Sequence, residues 1–331
     1  LDQSSATLVH PLYGSLDVVV IPPVRRRFST AEAGHHRFTI TFQRTGEEAS
    51  PQTTVNTADA VSATADKSLT SLLDEFSDQF NPAVRSGYVL EAAAAGVRDL
   101  TAQVNGAFRV AGLADNVADG IIGTGISSLL NIEAGAFPAA RHLGARLLAL
   151  FAYDTRRAPV PVSLPSAMLA LGSASGLGAA TTPAPITTPS RSVAAANEAA
   201  LVTLMRGGAA VEAIRAASSA GWSNHQEAIA WRNAAAATLD DLSDRVESTT
   251  TWRGLVDLRT AMAVDVTTRA APLPRLMKVV PSETTSATLL AYRLDGDARS
   301  TLFARADDLV TRNKIRHPGF VRGGEELEVL K

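Results

Sequence analysis

A chain of 331 residues without a single cysteine can form no disulfide, zinc–thiolate centre, iron–sulfur cluster or cysteine nucleophile. Its formal net charge of -2 argues against a dedicated nucleic-acid protein, which would be basic over a whole domain. Hydrophobic residues make up 46% of the chain but aromatic ones only 5%, with alanine abundant, a composition that favours closely packed helices over a large β-sandwich.

Residues 1–48 read as β-structure. Leu1 is not followed by a basic stretch and an apolar core, so no signal peptide is expected. Leu8-Val9-His10 is a short strand, and Leu16 to Ile21 a β-branched one that Pro22-Pro23 should end. Arg37 to Gln43 alternates and puts Phe38, Ile40 and Phe42 on one face. Arg25, Arg26 and Arg27 fall between these strands. The His35-His36 pair reads as solvated loop, and on a strand the two would face opposite ways, which disfavours a shared metal. Two or three strands cannot bury enough surface to stand alone. This segment is therefore expected to be the C-terminal part of a β-domain that starts before Leu1 or is completed by another subunit.

Residues 49–66 carry no periodicity and read as a linker. A helical domain is expected over 67–271. Asp66 or Ser68 opens its first helix, with Leu69, Leu72, Leu73, Phe76 and Phe80 on one stripe. Asn81-Pro82 starts the next, carrying Val97, Leu100, Val104 and Phe108. Gly120, Gly123 and Gly125 loosen the chain before Ile126, and Pro138 opens a helix with Leu143 and Leu147. Residues 156–190 form a Pro/Ser/Thr-rich linker with one short helix around 166–171. Its charge-free part is long enough for a membrane span, but six prolines from Pro159 to Pro189 exclude one. A helix starts near Ser192 and is weakened at Gly207-Gly208. Ser223 caps a helix with Trp231, Leu239 and Leu242, and Trp252, Leu255, Leu258 and Met262 mark the last long one.

Residues 272–331 have the densest punctuation. Leu276, Val279 and Val280 form a strand, Ser286 caps a helix with Leu290 and Tyr292, and Gly296-Asp297 stops it. Leu302, Phe303, Ala306 and Leu309 mark a second helix. Pro318-Gly319 and Gly323-Gly324 are turns, and Leu327 to Leu330 is a closing strand. A unit of this size is marginally stable and is expected to lean on a neighbour.

Signatures of chemistry are sparse. No His-Glu-x-x-His sequence occurs. Gly120, Gly123 and Gly125 lack the lysine and preceding strand of a phosphate loop. Asp240-Asp241, Asp307-Asp308 and Glu325-Glu326 could serve glycoside hydrolysis only if two carboxylates met across a cleft; a solvated helix face or turn is the favoured reading of each. Two basic clusters remain, Arg25 to Arg27, and Arg312, Lys314, Arg316 with His317. Neither has interleaved aromatics for base stacking.

Two sets of residues resemble the "DNA circularisation protein" family of Mu-like tailed phages and prophages. At one end these are Leu8-Val9-His10-Pro11, Gly14-Ser15-Leu16 and Arg37-Phe38-Thr39-Ile40-Thr41-Phe42. At the other they are Leu273-Pro274-Arg275-Leu276, Leu290-Ala291-Tyr292-Arg293-Leu294, Gly296-Asp297, Asp308-Leu309-Val310, the run Arg312 to Val321, and Gly324 before Leu327-Glu328-Val329-Leu330. The helical middle carries no part of the match. Asp295 stands where the family commonly has an aromatic, and the family's N-terminal β-segment is absent before Leu1.

The resemblance implies an α+β chain with a partial tube-like β-domain, a long helical middle and a C-terminal LysM-like strand–helix–helix–strand module. It implies a structural protein without cofactor or metal, not an enzyme, assembled in the host cytoplasm into the virion tail. Such a tube initiator or baseplate-hub subunit would form a ring, a hexamer favoured, and meet tube, hub, wedge and tape-measure proteins rather than a membrane. Arg312, Asn313, Lys314, Arg316, His317 and Phe320, with Phe38, Ile40 and Phe42, are the expected interaction residues. The alternatives are a DNA-binding protein that protects or joins phage genome ends, as the family name has it, and a tail protein that binds or degrades peptidoglycan.

Overall fold

The computed structural model describes residues 6–10, 14–29, 35–44, 56–81, 87–133, 138–178, 186–295 and 301–331. The architecture is α+β, in two compact units, Leu1–Val55 and Asn56–Lys331. Among the described residues no helix is long and apolar enough to cross a membrane.

The first unit is an antiparallel sheet of β1 (Ala6–His10), β2 (Gly14–Ser29) and β3 (His35–Arg44), in that order. Pro22-Pro23 does not end the strand. β2 runs through both prolines, and its register against β3 shifts between Ile21 and Arg25. Proline has no N–H to donate, so it is tolerated where the ladder is already interrupted. Arg25, Arg26 and Arg27 are thereby strand residues, paired with Thr39, Phe38 and Arg37. His35 and His36 also belong to a strand, not a loop.

The second unit is built on α7 (Pro189–Ser219), which packs against α1 (Thr57–Gln79), α2 (Gly87–Val110), α5 (Ala140–Leu148), α6 (Ser163–Gly172), α8 (His225–Ser243) and α9 (Thr249–Ala270). Short α3 (Ala114–Ala118) and α4 (Ile126–Leu130) connect α2 to α5. Every residue from Leu204 to Ile214 is buried, as expected of a helix enclosed on all sides. Gly207 and Gly208 do not weaken α7. They face the side-chain tips of Leu72 and Leu148, and a Cβ there would come within 2.8 and 2.5 Å. They are points of close approach.

The described parts of both segments read as linkers contribute to the core, the second through the one short helix expected there. α1 starts at Thr57, well before Asp66, because the Asn56 side chain accepts from the N–H groups of Ala58 and Asp59. Its buried stripe is Val61, Ala65, Ser68, Leu72 and Phe76, helical in spacing but with small residues at Ala65 and Ser68. α6 covers Ser163–Gly172 and buries Leu164, Met168, Leu169 and Leu171. Pro165 sits in its first turn, where a missing N–H breaks nothing. α7 likewise opens on Pro189, capped by the Thr188 hydroxyl, which accepts from Arg191 N at 3.3 Å. A Cβ at Gly172 would meet Ala210 Cβ at 2.9 Å and backbone atoms of Arg206 and Ala210 at 3.0 Å. Gly172→Ala is therefore expected to lose about 1–3 kcal/mol in urea unfolding, despite alanine's better helix propensity.

α8 is capped by Asn224 rather than Ser223; its Oδ1 accepts from Glu227 N at 2.8 Å. Thr249 to Thr251 begin α9, with Ser248 as cap. Pro82 and Gly296-Asp297, expected as helix signals, lie outside the described residues.

The C-terminal segment runs β4 (Leu276–Val279), α10 (Ala287–Asp295), α11 (Leu302–Arg312), β5 (Leu327–Leu330), with β4 and β5 antiparallel. Its core of Ala287, Leu290, Ala291, Ala306, Leu309, Val321, Leu327 and Val329 is separate from the helical core. Ser286 Oγ accepts from Leu289 N at 3.2 Å. The segment leans on the N-terminus of α8, where Gln226 exchanges two hydrogen bonds with the backbone of Leu276 (2.8 and 3.1 Å) and His225 N donates to Pro274 O at 3.0 Å.

Candidate functional site

Helix α11 ends at Asn313 in a Schellman turn. Ile315 N donates to Val310 O at 2.9 Å and Lys314 N to Thr311 O at 3.3 Å. Lys314 takes the left-handed position, φ 51°. Glycine is usual there, and a side chain costs about 1–2 kcal/mol. Ile315 and Val310 both pack on the module core, the apolar contact that accompanies this turn.

Beyond the turn, the chain is clamped at three places. Thr285 and Val321 exchange backbone hydrogen bonds (2.7 and 2.9 Å), Ala287 N donates to Pro318 O at 2.8 Å, and Gly324 N to Pro281 O at 2.7 Å. Gly323 is required: a Cβ would meet the Glu283 backbone at 2.7 Å. The result is a held cleft of about 470 Å³, lined by Lys314, Arg316, His317, Phe320, Arg322 and Glu325, with Ile315, Val321 and Leu327 beneath. Phe320 is 68% exposed and meets the His317 ring edge-on at 5.5 Å. Gly319 N donates to His317 Nδ1 at 3.1 Å, which leaves Nε2–H as the ring's donor. Arg322 pairs with Glu325 at 3.3 Å.

The cleft thus gathers Lys314, Arg316, His317 and Phe320, but not all the residues singled out beside them. Arg312 is half-buried and forks onto Asp308 at 2.9 Å, one helical turn back. Asn313 borders the cleft, but its side chain is committed. Its Nδ2 donates to Leu309 O and Glu328 O, and its Oδ1 accepts from Glu328 N at 2.7 Å, tying α11 to β5. Arg322 escaped the sequence reading, and Glu325 stands out there only as half of a carboxylate pair; their place beside the Gly323-Gly324 turn is the signal that joins them to the cleft.

In the N-terminal sheet, register puts His36, Phe38, Ile40 and Phe42 on the same face as Val20, Arg26 and Phe28. Phe28 and Phe38 are 55% and 57% exposed, and Ile40 and Phe42 both 40%. Arg26 Nε donates to His36 Nδ1 at 3.1 Å, and the His36 ring meets Phe28 at 4.7 Å, tilted by 33°. The opposite face carries Arg25, Arg27 and Arg37.

Elsewhere the sequence's chemical candidates resolve into structure. Asp240 pairs with Arg259, Asp241 with Arg245, Asp308 with Arg312 and Glu326 with Lys278. Gly120, Gly123 and Gly125 all have positive φ and form the turns between α3 and α4, and the Thr124 hydroxyl donates to Ala149 O. No group of three or more metal-ligating side chains occurs among the described residues. Two exposed features stand out among the described residues: a cationic, aromatic-tipped cleft and an apolar sheet face. Comparison with protein-family models and with curated proteins finds no match to the chain.

Proposed function

We propose that this chain is a structural subunit of a contractile phage tail, a tube initiator or baseplate-hub component that joins the tail tube to baseplate proteins. The observation that carries the reading is the apolar face of the N-terminal sheet. A soluble sheet keeps such a face covered, and here Phe28, Phe38, Ile40 and Phe42 are left to solvent, with Val18 alone buried among the hydrophobic residues described in that unit. A neighbouring subunit completing the β-domain accounts for this. The resemblance at both ends supports the same reading, as does the strand–helix–helix–strand order of the C-terminal segment, that of a LysM-like module. In a ring each weak contact repeats, which gives avidity without a large single interface.

Sedimentation tests the role of the face. The parent chain is expected to form a concentration-dependent oligomer. Phe38→Asp with Ile40→Asp should shift it to monomer while the helical body unfolds at an unchanged denaturant concentration. A monomeric parent, or an oligomer indifferent to both charges, contradicts the reading.

A second reading is favoured by the other face. Arg25, Arg27 and Arg37 are exposed, sit on adjacent strands and form no ion pair among the described residues. Such a strip suits phosphates, as a protein of phage genome ends would need. Retention of DNA at low salt that falls steeply with added salt, and is lost in Arg25→Ala/Arg27→Ala, supports it; no retention at low salt removes it.

A further inference from the structure

The cleft of the C-terminal segment holds more positive charge than its fold uses. Lys314, Arg316 and Arg322 face one carboxylate, Glu325, in a chain whose net charge is negative. Lys314 and Arg316 form no ion pair among the described residues. Lys314 also stands in a backbone conformation that glycine would adopt without strain. The helix end favours a positive charge, and the lysine there also places an ammonium at the cleft mouth. Phe320 projects beside these cations, and the backbone clamps at Thr285, Ala287 and Gly324 hold the loop in place before anything binds.

We propose that this cleft docks an acidic segment of a partner protein. Its carboxylates lie against Lys314, Arg316 and Arg322, and one of its apolar side chains packs on Phe320 and Ile315. Charge selects this occupant. A neutral glycan offers the cations nothing to neutralise, and a nucleic-acid strand needs a longer groove with successive aromatic platforms. Arginine beside an exposed aromatic is the composition of a protein-interface anchor. The inference deepens the assembly role above, and rests on it for the partner being a protein.

The test is a titration of the full-length chain with a short fluorescein-labelled peptide alternating aspartate and leucine. A lysine–leucine peptide, an oligothymidylate and an N-acetylglucosamine oligomer serve as competitors. The acidic peptide is expected to bind with an affinity that falls as salt rises. Arg316→Glu should weaken it by about tenfold or more. Lys314→Gly should weaken it while raising the denaturation midpoint, so lost binding cannot be lost folding. Carbodiimide coupling should attach the peptide at Lys314. Binding no better than that of the lysine–leucine peptide, displacement by the oligothymidylate or the sugar, or unchanged binding by both variants overturns the proposal. The titration uses the isolated chain, so its failure leaves a tail location standing, and absence from tails leaves the titration standing.

Discussion

Glu212→Gln is expected to raise the stability of the folded chain by about 3 kcal/mol at pH 8 and to leave it nearly unchanged at pH 4. Glu212 lies in the enclosed stretch of α7 and is 6% exposed. Burial pushes its carboxyl up from 4.5 to about 7; Arg215 opposes this and Asp66 adds to it. Burial prevails because Arg215 is 3.6 Å from Glu212 and makes its close contact, 2.5 Å, with Asp66. A raised folded-state value means that the native chain binds the proton more tightly than the unfolded chain does. Stability therefore falls as pH climbs from about 4.5 to about 7, and the loss is complete above that. Glutamine keeps the shape and never ionises, so the parent and variant curves should coincide in acid and diverge through this window. Urea unfolding followed by the fluorescence of Trp222, Trp231 and Trp252, all in the helical unit, reads this directly. A difference that does not change with pH contradicts the assignment.

Arg269→Ala should destabilise the helical unit by about 3–5 kcal/mol. Asp265, 1% exposed on α9, is held by the Arg269 fork at 2.8 Å and by the Thr57 hydroxyl at 2.7 Å. The same guanidinium donates to Ala217 O at 2.7 Å and Ala220 O at 2.9 Å, where α7 ends. One cation thus pairs a buried carboxylate and satisfies carbonyls at a helix C-terminus, where positive charge is favoured. Its removal leaves Asp265 charged, buried and held by one hydroxyl. Arg269→Lys keeps the charge but not the fork, and should recover only part of the loss. Asp265→Leu with Arg269→Met should lose less than Arg269→Ala alone, because no charge is then stranded. Equal losses for the single and double variants, by the same unfolding measurement, would point to packing instead.

What the sequence made legible follows from which signals are local. The C-terminal order of strand, two helices and strand is legible because Ser286, the Pro318-Gly319 turn and the Leu327–Leu330 alternation each act within a few residues. The long helices are legible where leucine and phenylalanine mark the buried stripe, as in α2 and α9. The first ten residues of α1 are not, since only Val61 and Ala65 among them are buried, and their apolar setting comes from the helices packed on α1, chiefly α7 and α9. α6 is legible as the short helix expected around 166–171, but not its start at Ser163, because Pro165 breaks a helix in the interior and not in the first turn. β2 is cut short on paper by Pro22-Pro23 because the register shift that accommodates them depends on the partner strand. The cleft is legible in part: Lys314, Arg316, His317 and Phe320 stand out as a basic and aromatic run. That Arg312 and Asn313 are spent inside the fold, and that Arg322 joins from across the turn, depends on tertiary contacts.

The proposed role puts the apolar sheet face and the cationic cleft at contacts within a phage tail. Immunogold electron microscopy of tailed particles, with antibody raised against the full chain, tests that most directly. Label confined to the baseplate end of the tail, at one ring per particle, is the predicted result; particles that carry no label, with the chain recovered only as free monomer, would contradict it.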